Sequence, residues 1–142
     1  MRDLRPGNWA PPCVVLVGMG MGVGDIPAAA LGWIERAEVL AGGARHLDWF
    51  PSHSGEKLPL KGPLNAWLDA VGAISRERRT AVLASGDPFF FGIGRRLAER
   101  LGKEHLVTFP NITSVQVLFA RLNEPWEDVK VLSLHGRGAA LD

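Results

Sequence analysis

Cysteine is nearly absent from this chain: Cys13 is the single one in 142 residues. One thiol supports neither a disulfide framework nor a thiolate metal site, and a reducing cytoplasm is the setting that fits. Long apolar runs are missing as well. None approaches the roughly 20 residues needed to cross a bilayer. The amino-terminal stretch MRDLRPGNWAPP carries arginines but lacks the apolar core of a signal peptide. Charge of one sign is scarce, with a net +1 and 22% charged residues, so the basic excess that marks nucleic-acid partners is not there. His53 and His105 have no partner at ligand spacing, and no metal site is indicated. Internal repeats and low-complexity segments do not occur. What is left is one domain's worth of chain, 46% hydrophobic and able to bury a single core.

The apolar pattern predicts alternating strands and helices. Val14 to Val17 is a short continuous apolar run of the kind buried on both faces of a sheet. Asp25 is placed to cap a helix whose first turn accepts Pro27, with Ile26, Ala30, Trp33 or Ile34, and Ala37 at helical spacing. Val39 to Ala41 reads as a second strand closed by Gly42 and Gly43. Residues 50–63 read as loop, broken by Pro51, Gly55, Pro59, Gly62 and Pro63. Leu64, Trp67, Leu68, Val71 and Ile74 mark an amphipathic helix whose tryptophan belongs to the core. Thr80 to Ser85 is a third strand, Ile93, Leu97 and Leu101 share a helical face that stops at Gly102, and Leu106 to Phe109 is a fourth strand ended by Pro110. NITSVQVLFARL is a cap and helix that Asn123 and Pro125 end, and Val129 to Leu134 is a fifth strand. The class is α/β, a mostly parallel open sheet with flanking helices.

Ligands of such sheets bind beyond the carboxyl ends of the strands, where three loops of this chain fall. The first, VGMGMGVGDIP, carries Gly18, Gly20, Gly22 and Gly24. A dinucleotide fingerprint started at Gly18 meets Val23 where the third glycine belongs, and one started at Gly20 meets Asp25. The acidic residue expected about 20 positions later is missing from VLAGGARHL. No Gly-Lys-Ser/Thr follows, which excludes a P-loop. The plain alternative is a tight strand-to-helix turn without a ligand. The second loop, SGDPFFFGIG, sets the acceptor-only carboxylate of Asp87 at the sheet edge, with Gly86 allowing close approach. Either Asp87 faces a ligand or it caps the next turn. Phe89, Phe90 and Phe91 cannot all face one core, so at least one lines a pocket or a contact. The third loop offers Thr113 and Ser114 at a helix start, for capping or for a ligand's polar atoms.

Gly-x-Gly-x-Gly after the first strand, Gly-Asp-Pro-x-x-x-Gly after a middle one and Pro-x-x-Thr-Ser after the next resemble the tetrapyrrole (corrin/porphyrin) methyltransferases. AEVLAGGARHL (37–47), ASGDPFFFGIG (84–94), PNITSVQ (110–116) and VLSLHGR (131–137) resemble the precorrin-6Y branch of that family. The resemblance implies a two-lobed α/β enzyme using S-adenosylmethionine to methylate a precorrin carbon in cobalamin biosynthesis. It implies residues 1–12 as a flexible arm, 13–123 as the amino-terminal lobe, and 124–142 as a linker and the first strand of a truncated second lobe. In the fused, decarboxylating form a further carboxyl-terminal methyltransferase domain would follow. Carried onto this chain, Ser85, Gly86, Asp87, Phe90, Thr113 and Ser114 match the family's cofactor contacts. Gly18, Gly20 and Gly22 match the loop facing the tetrapyrrole.

Met21 stands where many relatives have proline. Ala41-Gly42-Gly43 occupies the place of a catalytic aspartate found in uroporphyrinogen-type relatives, so no base is assigned. Arg45, His46 and Arg137 are candidate cations for a polycarboxylate macrocycle. An apolar patch left exposed around the last strand predicts a homo-oligomer, cytoplasmic and without nucleic-acid or membrane partners on the composition above. The rival readings are methylation at another ring position, diphthine synthesis, a degenerate nicotinamide or flavin oxidoreductase, and a non-catalytic interaction domain.

Overall fold

The computed structural model describes residues 4–134 of the chain. Five strands, β1 (Val14–Gly18), β2 (Val39–Gly42), β3 (Glu56–Pro59), β4 (Thr80–Ala84) and β5 (Leu106–Phe109), form one sheet in the order β3-β2-β4-β1-β5. Every pairing is parallel, with Val14 opposite both Thr80 and Leu106. The helices are α1 (Ala28–Arg36), α2 (Ala44–Leu47), α3 (Leu64–Ser75), α4 (Gly94–Leu101) and α5 (Ser114–Leu122). The α/β class with a parallel sheet is therefore the architecture observed.

β1, β2 and β4 are buried along their whole length, as the unbroken apolar runs require of strands covered on both faces. Successive side chains alternate between two cores. Val15 and Val17 pack with Ala30, Trp33 and Ile34 of α1 on one face. Val14 and Leu16 pack with Trp67, Leu68 and Val71 of α3 and Leu97 of α4 on the other. Trp33 and Trp67 are thus core residues. Truncating a side chain such as Leu68, which is 1% exposed, costs about 2–5 kcal/mol in sites of this kind.

Four local expectations are corrected. Residues 50–63 are not loop throughout: Glu56–Pro59 pairs in parallel with β2. Its charged and proline residues suit an edge strand, where one side needs no ladder. Asp25 does not cap α1, whose N-cap is Pro27; it closes a turn over Val23–Asp25 instead. The arm does not trail free, because Trp9 is 4% exposed, stacks 5.7 Å from Trp33 and donates its indole N–H to the Cys13 carbonyl at 2.7 Å. Finally, residues 129–134 form no strand: no described segment pairs with them in a ladder, and their exposed backbone is left to water.

The end of the chain is packed differently from its start. Thr113 caps α5 and accepts from the Gln116 N–H at 3.3 Å, while the Gln116 side chain accepts from the Thr113 N–H at 2.7 Å, a reciprocal capping box. Asn123 ends the helix in the left-handed region, φ 54°. Yet α5 has no buried residue. Leu118 and Leu122 are 53% and 57% exposed, and Leu132 reaches 63%. An apolar face of this kind is a contact surface or an association liability.

Candidate active site

The loops after β1, β4 and β5 meet at the carboxyl edge of the sheet. The Met19 N–H donates to the Ala84 carbonyl at 2.7 Å, and Gly20 and Gly86 then exchange both backbone hydrogen bonds at 3.2 and 3.0 Å. This single antiparallel bridge joins the two glycine loops. Gly20 and Gly86 lie at φ +65° and +58°, a region where a Cβ is strained.

Asn111 ties the third loop to the other two. Its side-chain amide donates to the carbonyls of Gly18 and Asp25, both at 2.7 Å. Its backbone N–H donates to the Asp87 carboxylate at 3.0 Å, and the same carboxylate accepts from Phe89 N–H at 3.0 Å. The Asp25 carboxylate accepts from Met21 N–H at 2.9 Å. Both acidic residues therefore brace loops, which is the turn-capping alternative for Asp87. The sequence reading missed Asn111 as the hub. Its available signal was a side-chain amide directly after a strand-ending proline.

Between these loops lies a cleft of about 690 Å³, within the range of small-molecule sites. All six candidate cofactor residues, Ser85, Gly86, Asp87, Phe90, Thr113 and Ser114, line it. Met21, Arg45, Phe91, Val115 and residues 131–134 complete the wall. Phe90 and Phe91 meet edge to face at 4.9 Å, and Phe91 sits at φ +50°, a conformation that costs a bulky residue energy and recurs at ligand sites. Of the three glycines expected to face a substrate, only Gly20 reaches the cleft. A Cβ on Gly18 would lie 2.9 Å from both the Asn111 Cβ and the Gly86 carbonyl oxygen, so Gly18 is walled in. Gly22 has nothing within 4 Å of its would-be Cβ.

The candidate cations divide in the same way. Arg45 is exposed on the cleft wall. His46 is 5% exposed. Burial first, and the adjacent Arg45 guanidinium second, push its pKa below the ordinary 6.5. It is neutral at pH 7, not a cation. Arg137 lies outside the described residues. His53 is structural: it bonds the Ile34 carbonyl at 2.7 Å through Nε2 and accepts from Gly55 N–H at 2.9 Å through Nδ1. Among the described residues no group of three or more His, Cys, Asp or Glu is placed to hold a metal ion, and no helix is long and apolar enough to cross a membrane.

Parallel strands ending in three cross-tied loops around one cleft define a class that comparison makes specific. Residues 13–141 match the family of tetrapyrrole (corrin/porphyrin) methylases, and the chain belongs to that family. It is 42% identical over 125 residues to the cobalt-precorrin-7 C(5)-methyltransferase of Salmonella typhimurium, covering 87% of this chain and 62% of that protein. It is 36% identical over 128 residues to the precorrin-6Y C(5,15)-methyltransferase (decarboxylating) of Sinorhizobium, with 89% of this chain and 31% of that protein covered. The crystal structure of a precorrin-6Y methylase of cobalamin biosynthesis from Archaeoglobus fulgidus superposes with a TM-score of 0.73 and 30% identity, covering 87% of this chain and 65% of that one. The chain thus spans less than two thirds of the length of each of these relatives.

Proposed function

We propose that this chain forms the amino-terminal lobe of an S-adenosylmethionine-dependent methyltransferase that methylates a carbon of a precorrin macrocycle in cobalamin biosynthesis, of the precorrin-6Y type. The observation that carries this reading is the convergence of Ser85, Gly86, Asp87, Phe90, Thr113 and Ser114 on one cleft in a chain of this family. The donor set suits an adenosyl ligand. Met21, Phe90, Phe91 and Val115 supply apolar and aromatic surface, Ser85 and Ser114 supply hydroxyls, and the glycine loop matches neither phosphate-binding pattern.

When bound, the cofactor supplies a methyl group already activated on a sulfonium. The chain's task is then orientation, worth several kcal/mol when reacting atoms are held in line. Gly86 admits the ligand to the backbone, Phe90 gives it a face to pack on, and Asp87 and Thr113 keep the loops rigid through the backbone bonds described above. No residue of the cleft is assigned as base. Residues 124–142 lead into a second lobe that completes the substrate side, the longer relatives supply a further domain in the fused form, and the working enzyme is a cytoplasmic homo-oligomer.

Calorimetric titration of S-adenosylhomocysteine into the chain tests the cofactor assignment. The expected outcome is saturable binding that Phe90→Ala weakens while the melting temperature holds. Heat no different from dilution with the folded wild type would overturn it, as would NADH fluorescence enhancement in its place. Exposed Leu118, Leu122 and Leu132 predict self-association in light scattering at high protein concentration. A strict monomer would remove the oligomer from the proposal.

A further inference from the structure

Arg45 stands at the mouth of the cleft in an arrangement that its sequence position does not explain. One nitrogen, Nη2, lies 3.2 Å from His46 Nε2 and 3.4 Å from Ser85 Oγ. The guanidinium carbon is 5.9 Å from the centre of the Trp49 ring, within cation–π range. The His46 ring meets the same indole edge-on at 4.9 Å. A guanidinium only donates, so His46 Nε2 is the acceptor, and the buried imidazole is held as the tautomer bearing its proton on Nδ1. Two hydrogens of Nη2 are thus occupied, whereas the Nε and Nη1 hydrogens have no partner among the described residues. Among the described residues no ion pair neutralises the charge either. The carboxylate that shares the cleft, Asp87, is committed to the N–H groups of Phe89 and Asn111.

A long side chain loses rotamer freedom when pinned, and a surface arginine has no need of such fixation. Here an aromatic ring, an imidazole acceptor and a hydroxyl hold the guanidinium of a residue that is exposed on the cleft wall. The Nη1 and Nε donors that remain, on a guanidinium seated against His46 and Trp49, suit the oxygens of an anion.

We propose that Arg45 is the carboxylate-binding residue of this cleft, with His46 and Trp49 as the residues that position it. The proposal rests on the reading of the cleft as a cofactor and substrate site. Two ligands of that reading carry the chemistry: the amino-acid end of the cofactor and the acid side chains of the macrocycle.

The test titrates three probes into the full chain: S-adenosylhomocysteine, 5′-methylthioadenosine (the same nucleoside without the carboxylate) and uroporphyrin, a tetrapyrrole polycarboxylate. Arg45→Met is expected to weaken one carboxylate ligand about ten- to a hundredfold, the range for hydrogen bonds to charged groups, and to leave methylthioadenosine unchanged. Selective loss of S-adenosylhomocysteine assigns Arg45 to the cofactor, and selective loss of uroporphyrin assigns it to the macrocycle. Arg45→Lys, which keeps the charge but not the guanidinium that His46 and Trp49 hold, is expected to fall between. His46→Leu should reproduce the selective loss, and His46→Gln, which restores an acceptor, should recover part of it. A purely structural His46 would lower the melting temperature without preferring one probe. Unchanged affinity for both carboxylate ligands in Arg45→Met overturns the proposal, as does a parallel loss of methylthioadenosine. If the wild type binds none of the three probes, the reading of the cleft itself has failed, and the proposal falls with it.

Discussion

The loop after β1 and the loop after β4 look alike in sequence, each with glycine and an aspartate, but they are built for different tasks. In the first, glycine is demanded from inside the protein. A Cβ on Gly20 would lie 2.5 Å from the Asp25 Cβ and 2.9 Å from Asn111 Oδ1, and Gly18 is enclosed by Asn111, Gly86 and Pro88. In the second, Gly92 and Gly94 are closed off by the Pro88 carbonyl oxygen, at 2.7 and 2.6 Å, but Gly86, the glycine at the cleft, is demanded only by its dihedral. Its would-be Cβ has ordinary clearance, 3.6 Å from the Ile112 carbonyl oxygen, and the residue opens onto the cleft. A glycine-rich stretch is therefore no guide to a ligand until the neighbours of each absent side chain are known.

Substitutions along the two loops sharpen or break this contrast. Gly20→Val should be the most damaging, because it combines a positive φ with overpacking against Asp25. Its expected cost is about 2–6 kcal/mol, and ligand binding should fall together with the melting temperature. A variant that keeps its stability and loses only uroporphyrin binding would return Gly20 to a substrate-facing role. Asp87→Ala should cost about 1–2 kcal/mol, since two backbone N–H groups lose their acceptor. Urea unfolding would show this as a lower midpoint at unchanged slope. Loss of S-adenosylhomocysteine affinity without that shift would make Asp87 a direct contact rather than a brace.

Gly86→Ala is the test of the second loop. Only the left-handed conformation penalises it, by about 1–2 kcal/mol, so calorimetry should show a larger change in cofactor affinity than in stability. Equal changes would erase the distinction between the loops. Gly22→Ala should do least and in the opposite direction. Its backbone is extended, φ −174°, with open space around it, so restricting the unfolded chain should stabilise the protein by about 0.4–1 kcal/mol. A destabilised variant would show that Gly22, like Gly20, is demanded by its surroundings.

Much of the frame was legible because burial on both faces leaves an unmistakable signature. Val14 to Val17, Val39 to Ala41 and Thr80 to Ser85 became strands within a residue or so of those limits, and Leu106 to Phe109, half-buried at the sheet edge, did so through its own apolar run. β3 escaped because an edge strand needs polar residues and tolerates Pro59, which read as loop signals. α2 escaped because four residues cannot display a helical period. The cleft-lining positions in the three loops were visible as Gly, Asp, Ser and Thr at strand ends. The division of labour among them was not, since it depends on Asn111 joining residues far apart in the chain and on whether Asp25 and Asp87 turn toward the backbone or away from it. His46 shows the same limit. Its neutrality follows from burial, which no spacing rule reports.

The strand order also sets a timetable. β1 is the first strand made, yet its two neighbours in the sheet are β4 and β5, and Val14 meets Thr80 only about 66 residues further along. At about 5–20 residues per second of synthesis, this wholly buried strand waits several seconds for its first partner. Throughout that wait Val14, Val15, Leu16 and Val17 are an unpaired, wholly apolar segment, the kind of stretch that associates with other chains. Only β2 and β3 are neighbours both in the chain and in the sheet. Completion of the sheet is therefore a late, long-range event, slow in the manner of folds dominated by distant contacts, and β1 rather than the exposed face of α5 is the point of greatest exposure before the fold is complete.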